Sequence, residues 1–465
     1  MGIAVRVFAE VVHRLTASGD GHLRPAPDQH KERVQMVSSN VIEADLTWFN
    51  GAFEPRIQVV TNSSGQIEQV GYLDLQPTMR LEGKALLPGM INAHSHAFQR
   101  GLRGFGETFP KGAGSFWTWR EAMYELVECL DAEEFQNICR VAFEEMLRHG
   151  ITTVGEFHYF HHGPTAPDLL FDELVLAAAR DAGIRIVMLE TFYAHGGFGE
   201  PLSGGQNRFA TPDVASFLAH VDSLRAKCNP AMQEIALAAH SLRAATPDEI
   251  AELLAYAKKH DLVLHLHAEE QRQEIDACVK AHGMTPIELL LDRDILNPSV
   301  TLVHCTHTGA EVIRRVAKTG ASICICPTTE GNLGDGIADV PAMVKANANI
   351  CLGTDSNARI SMNEEMRWLE YVQRVRHETR GVVVGESGQN ARALFECATI
   401  AGAKSLGTNA GRIATGTSAD LIVIDTQGIS LLGATAETLL PAFVLGADRG
   451  SITHTCVAGQ WHEWR

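Results

Sequence analysis

Several features are missing from this 465-residue chain, and each absence narrows what it can be. Its ten cysteines include no C-x-x-C pair and are too sparse for a small disulfide-stapled scaffold, so reduced, cytosolic thiols are expected. No apolar run reaches the roughly 18 residues of a membrane span. The opening residues include Glu10 and lack an apolar core with a small-residue cleavage site, so a targeting peptide is not read there. Basic blocks are missing too: Lys+Arg total 39 against 56 Asp+Glu, a formal charge of −17, which speaks against a nucleic-acid partner. An acidic surface also repels anions at long range, so any carboxylate ligand needs local arginines.

What is present is an ordinary folded composition, 45% hydrophobic and 20% charged, on a chain long enough for one large domain and a smaller satellite. Met1 to Leu15 is mildly amphipathic, residues 16–40 have few apolar positions, and residues 1–40 together read as a flexible extension, with Met36 as an alternative start just before the first strand-like segment. From Val41 to Leu86 short β runs alternate with turns such as Asn62-Ser63-Ser64-Gly65, and the last fifty residues return to that style. Residues 41–86 and 408–465 are therefore expected to form one small discontinuous β-sandwich domain of antiparallel strands. Between them, over 87–407, apolar strands alternate with helical stretches. Eight are read: Leu87–Ala93, Thr152–Phe157, Arg185–Glu190, Ile235–Ala239, Leu262–Leu266, Val300–Val303, Ala321–Cys326 and Asn349–Leu352. Eight successive βα units predict a closed (β/α)8 TIM-type barrel. An open doubly wound sheet is the alternative, but the Gly-rich nucleotide fingerprint is missing after the first strand.

Barrel enzymes place their chemistry where strands end, and unusual polar residues collect there. The first strand runs into His94-Ser95-His96, and the period of two along a strand sends both imidazoles the same way, so they can share one metal. The fifth ends His265-Leu266-His267-Ala268-Glu269-Glu270, the sixth His304-Cys305-Thr306-His307 and the eighth Gly353-Thr354-Asp355. His265 lies two residues deeper than His267, and His307 lies past its strand end, so His267 and His304 are the better-placed rim imidazoles. His158, His161 and His162 read as ordinary surface or loop histidines, and Asp335 and Asp339 as solvated loop carboxylates.

Taken together, the Pro88–His96 run, the His267 to Glu270 spacing, His304-Cys305 and the Gly353-Thr354-Asp355-Ser356 segment resemble the metal-dependent amidohydrolase superfamily, in its mononuclear deaminase branch. The resemblance spans Val41 to the C-terminus. Where binuclear members carry a bridging carboxylated lysine at the end of strand four, this chain has Ala239-His240-Ser241. One cation per subunit is thus implied, Zn2+ held by His94, His96, His267 and Asp355, with Glu270, His304 and Asp355 catalytic. Within the branch, His96–Gly101, Ser115–Glu121, Glu156–Tyr159 and His240–Arg243 are similar to the formimidoylglutamate deiminase family. That resemblance implies hydrolysis of N-formimidoyl-L-glutamate to N-formyl-L-glutamate and ammonia in histidine degradation, with Gln99, Arg120, Tyr159, His240 and Arg243 binding substrate. A dicarboxylate bound by an acidic protein needs planar cationic forks, which Arg120 and Arg243 could provide, although a helix-surface salt bridge is the ordinary alternative for either. The resemblance also implies a cytoplasmic homodimer, with no membrane and no nucleic acid as partner. Two rival functions stand beside this one: a deaminase of a purine or pterin-type ring on the same scaffold, and a non-catalytic barrel used for binding.

Overall fold

A computed structural model describes residues 40–105, 107, 109, 114–164, 167–385 and 387–464. The expected N-terminal extension lies outside the described residues except for Asn40. Two eight-stranded sheets organise the described chain. The first begins with β1 (Asn40–Phe49), β2 (Ala52–Glu54), β3 (Gln58–Thr61), β4 (Ile67–Gly71) and β5 (Met79–Pro88). The second consists of β6 (Met90–Ser95), β7 (Ile151–His158), β8 (Arg185–Phe192), β9 (Gln233–Ala239), β10 (Leu264–Ala268), β11 (Val300–His304), β12 (Ser322–Ile325) and β13 (Asn349–Leu352). The chain then returns to the first sheet with β14 (Leu421–Asp425), β15 (Ile452–Val457) and β16 (Gln460–Glu463).

The second sheet runs β6 to β13 in strict sequence order, and its ladders are parallel throughout. It closes: Ser95 bridges to Asp355 in parallel, the Asp355 amide donates to the His94 carbonyl and the His96 amide to the Asp355 carbonyl. This is the (β/α)8 barrel. Its strands are buried at nearly every position, as a parallel barrel covered by helices requires. The helices carry their own stop and start signals. Thr246 and Glu249 form a capping box with Pro247 at the first turn of Pro247–His260, and Asp131 with Glu134 does the same for Ala132–Arg148. The short helix Ile400–Leu406 meets the barrel strands at their inner ends: the Ser405 carbonyl accepts from His265, and the Ala401 carbonyl from Asn349.

The other sheet is mixed rather than antiparallel, because β1 and β5 pair in parallel while the remaining ladders are antiparallel. The long connection through β3 and β4 brings the chain back in the direction it left. N- and C-terminal strands meet at β5–β14, and the sheet curls so that Gln66 bridges Ser418 around a core of Ile42, Val59, Ile67, Leu86, Leu421 and Val423. Arg185 clamps the two sheets together, donating from Nε and Nη2 to the buried Asp420 carboxylate at 2.8 and 3.0 Å. All ten cysteines are free, and among the described residues no helix is long and apolar enough to cross a membrane.

Several strand bounds shift by one or two residues, Leu262–Leu266 becoming Leu264–Ala268 for example, and one expected strand serves two sheets. Leu87–Ala93 is not a single barrel strand: Leu87 and Pro88 pair with Ile422 and Leu421 of the other sheet, and the barrel strand begins only at Met90. Pro88 has no amide to continue a ladder, and Gly89 passes so close to β7 that a Cβ there would lie 2.2 Å from Thr152 Oγ1 and 2.3 Å from its Cγ2. Replacing Gly89 by Ala is expected to destabilise the chain by about 1–3 kcal/mol, the usual cost of overpacking. A thermal unfolding midpoint equal to that of the parent would contradict this account of the strand crossing.

Candidate active site and metal centre

Donor atoms of His94, His96 and His267 gather within 4.8 Å of one another at the β6–β13 seam, and Asp355, which is grouped in the same way with His304 and Cys326, adjoins two of them. Asp355 Oδ1 lies 3.5 Å from His94 Nε2 and 3.3 Å from His96 Nε2, and His267 Nε2 lies 3.1 Å from His94 Nε2. Donors arranged tetrahedrally at Zn–N and Zn–O distances of 2.0–2.1 Å sit roughly 3.4 Å from one another, so this spacing suits a single cation. The imidazole tautomers point the same way. His96 donates from Nδ1 to the Phe157 carbonyl at 2.8 Å, and His267 from Nδ1 to the His240 carbonyl at 2.9 Å. Each Nε2 is thereby left as a lone pair facing its neighbours, which is the arrangement metal-bound histidines adopt. Burial pushes all three imidazoles down, His96 to about 3; burial also works against the Asp355 charge, but a His94 hydrogen bond and the fields of His94, His304 and His96 outweigh it and hold Asp355 below the usual carboxylate range. The residues present therefore fit a divalent cation.

Around this cluster the charged partners are ordered by a layer that the sequence did not advertise. His304 places Nε2 3.8 Å from Asp355 Oδ2 and 3.9 Å from Glu270 Oε1, and its Nδ1 faces Glu330 Oε1 at 3.3 Å. Burial disfavours its charge, but Glu270, Glu330 and Asp355 outweigh that and raise it to about 10. Its backbone is left-handed, φ +77°, as are Cys305 and Asp355 at +52° and +46°. Such conformations cost on the order of 1–3 kcal/mol each and cluster where function constrains the chain. Glu330, fixed by the Cys326 amide at 3.0 Å, is a residue the sequence reading missed, since nothing in a helix start after β12 announces contact with β11. Glu270 is buried and held above the ordinary carboxylate range, chiefly by desolvation, with Asp355 adding to the effect and His304 and Arg243 opposing it.

A recess of roughly 540 Å3 opens above the donors. Ten sequence-derived residues line it together: His96, Gln99, Arg120, Tyr159, His240, Arg243, His267, Glu270, His304 and Asp355; His94 lies fully buried beneath. Gln99 donates to the Tyr159 hydroxyl at 2.7 Å, leaving that hydroxyl's own proton free to be donated. Arg120 comes from helix Phe116–Cys129, packs over the rings of Trp117 and Tyr124 and donates from Nε to the Tyr124 hydroxyl at 2.9 Å. Arg243 follows β9, and its Nε lies 3.8 Å from the buried Glu274, whose carboxyl burial raises to about 7. Neither arginine is an ordinary surface pair. Tyr193, Tyr124, Phe209 and Trp119 complete the wall and were not anticipated, although Tyr193 sits directly past the end of β8, where the barrel rule could have found it.

Other expectations resolve plainly. His265 turns to the Ser405 carbonyl at 2.8 Å, and His307 stays outside the recess lining. His158, His161 and His162 are buried rather than surface residues. Asp335 is also buried, accepts from the Gln271 amide and is pushed up to about 9, foremost by burial, whereas Asp339 caps the following helix through the Ala342 amide.

The sequence pattern of the amidohydrolase family matches residues 85–462. The chain is 38% identical over 385 residues to the formimidoylglutamate deiminase of Pseudomonas aeruginosa, an alignment covering 82% of this chain and 84% of that protein. It is 30% identical over 387 residues to the 5-methylthioadenosine/S-adenosylhomocysteine deaminase of Natronomonas pharaonis, covering 82% of each. Among solved structures, an amidohydrolase from Brucella melitensis aligns with a TM-score of 0.83 at 32% identity over 91% of this chain and 94% of that one.

Removing one lone pair from the donor set gives a direct check. His267→Ala is expected to fold, by circular dichroism, and to carry one equivalent of divalent cation less than the parent after gel filtration in metal-free buffer. An unchanged metal content would show that these donors do not hold an ion.

Proposed function

The chain belongs to the amidohydrolase family and is a hydrolytic enzyme acting on a carbon–nitrogen bond, and from that premise we propose that it deiminates N-formimidoyl-L-glutamate, releasing N-formyl-L-glutamate and ammonia. The observation that carries this reading is the pair of guanidinium groups, Arg120 and Arg243, on the wall of a recess that His96, His267 and Asp355 also line, with His94 buried beneath them. A substrate with two carboxylates and a linear amidine matches two forks and one hydrolytic centre. The 38% identity to a deiminase of that name supports the same choice. An adenine-type ring would instead call for amide and aromatic contacts in place of the second fork.

One cation per subunit, zinc in this reading, would be held by the four donors and would supply Lewis-acid activation of a water at neutral pH. Asp355, among the donors, would be the group to take up a proton lost there, while His304, raised to about 10 by its carboxylate neighbours, is already cationic 3.8 Å away. The cationic His304 then faces the negative charge that develops on the attacking oxygen. Glu270, buried and disposed to hold a proton, hydrogen-bonds the imino nitrogen and delivers that proton as the carbon–nitrogen bond breaks and ammonia departs. Arg120 and Arg243 anchor the two carboxylates, while Tyr159, oriented by Gln99, and His240 fix the chain between them. This reading places the reaction in histidine degradation, in a cytoplasmic enzyme, and takes a homodimer as its assembly.

The test is ammonia release from purified protein offered N-formimidoyl-L-glutamate, guanine or 5′-methylthioadenosine, with and without a chelator. Turnover confined to the formimidoyl substrate and lost on chelation is expected; release from either ring compound alone would replace this reading with the heterocycle deaminase. Glu270→Gln tests the proton path. It should retain bound metal and lose about two or more orders of magnitude in turnover, whereas near-parental rates would remove Glu270 from the mechanism.

A further inference from the structure

A second cluster of histidines and carboxylates lies on the outer face of the barrel wall, and the active site does not use it. His158 ends β7 and Glu190 sits on β8, and the parallel register pairs these two residues directly. His161 follows in the loop, and Asp172 projects from the first turn of helix Leu170–Ala182. All four side chains are at most 2% exposed, and one donor atom from each lies within 4.8 Å of the others. Asp172 Oδ1 is 2.9 Å from His158 Nε2 and 2.9 Å from His161 Nδ1; Glu190 Oε1 is 3.4 Å from His161 Nδ1. Behind them His220 Nε2 donates to Asp172 Oδ2 at 2.8 Å.

Two details ask for a cation here. His161 Nε2 lies 2.9 Å from the Thr191 carbonyl, which turns Nδ1 towards two carboxyl groups, Asp172 Oδ1 at 2.9 Å and Glu190 Oε1 at 3.4 Å. Glu190 is fully buried with His161 Nδ1 3.4 Å from Oε1, and burial together with the neighbouring Asp172 holds its carboxyl well above the ordinary range. Two carboxyls packed this closely in a protein interior cannot both ionise without a positive charge between them. A divalent cation resolves both, since two carboxylates balance its charge and two neutral imidazoles complete a four-donor N2O2 set of the type that zinc and its first-row neighbours accept.

We propose that His158, His161, Asp172 and Glu190 form a second, structural divalent-cation site, separate from the active-site donors, with His220 orienting Asp172. Its position gives it a task. His158 lies between Phe157, whose carbonyl orients His96, and Tyr159, which lines the recess. A cation tying His158 and His161 to Asp172 and Glu190 therefore pins the segment that carries Tyr159 against the helix layer.

The full-length chain, produced with added zinc and desalted into metal-free buffer, is expected to contain two equivalents of zinc by elemental analysis. The near-isosteric Glu190→Gln is expected to contain one, and its thermal midpoint should no longer rise when zinc is supplied to the metal-depleted protein. Anomalous diffraction at the zinc edge from the parent should show a peak between His158 and Glu190, a measurement that decides the matter even where Glu190→Gln fails to fold. A single equivalent in the parent, or no anomalous peak at this position, would overturn the proposal and leave the cluster as a proton-sharing network in which Glu190 is the protonated partner of Asp172.

Discussion

Closure of the barrel between β6 and β13 is the constraint on which the rest of the molecule depends. The two strands are separated by more than half the chain, yet their backbones interlock through the Asp355 amide to the His94 carbonyl and the His96 amide to the Asp355 carbonyl. A buried amide network locks that junction: Asn92 accepts from the Thr354 amide at 2.9 Å, and Asn357 donates to Ser95 Oγ and the His96 carbonyl at 3.1 and 3.0 Å. Asp355 and Asn357 are both left-handed, at φ +46° and +57°, and the network is what makes that backbone tolerable. The same seam that closes the sheet brings the Asp355 carboxylate against the imidazoles of His94 and His96. Fold and donor set are one construction.

This explains why so much was legible in the sequence. A period of two along a strand is enough to align His94 with His96, and a barrel sends every strand end to one rim, so His267, His304 and Asp355 could be gathered without coordinates. What stayed hidden was set by contacts between segments far apart in sequence. Glu330 touches His304 across two neighbouring strand ends, and Glu274 stands behind Arg243 from the next helix. Neither pairing leaves a local periodicity. The Pro88-Gly89 crossing was hidden for a different reason: a continuous apolar run looks the same whether it serves one sheet or two, and only the partner strand β14 decides. The burial of His158 and His161 is hidden for the same reason as those long-range pairings, since the helix that covers them leaves no mark in their own segment.

On the proposed reading, the recess has to draw an anion to an acidic protein. The chain carries a formal charge of −17, so long-range steering works against a dicarboxylate. Discrimination has to come from short range, where a desolvated guanidinium counts for more than distant surface charge. Arg120 is half-buried and lies over the ring faces of Trp117 and Tyr124. Arg243 instead sits beside a carboxyl whose ordinary range has been lifted to about 7 by burial.

Strand β7 joins these arrangements through its alternation. Phe157 faces inward, its ring within 5.0 Å of His94 and 4.4 Å of His267 and its carbonyl holding the His96 tautomer. His158 faces outward into the Asp172 and Glu190 cluster, and Tyr159 turns back over the recess, 5.0 Å from the His96 ring. Because successive side chains on a strand cannot share a face, anything that fixes His158 outside also fixes its neighbours inside. The buried polar cluster behind the wall is thus a mechanical support for the tautomer and the hydroxyl in front of it. Its cost in desolvation is the physical price of holding a short segment to the tolerance that a donor set with 3.1–3.5 Å spacings demands.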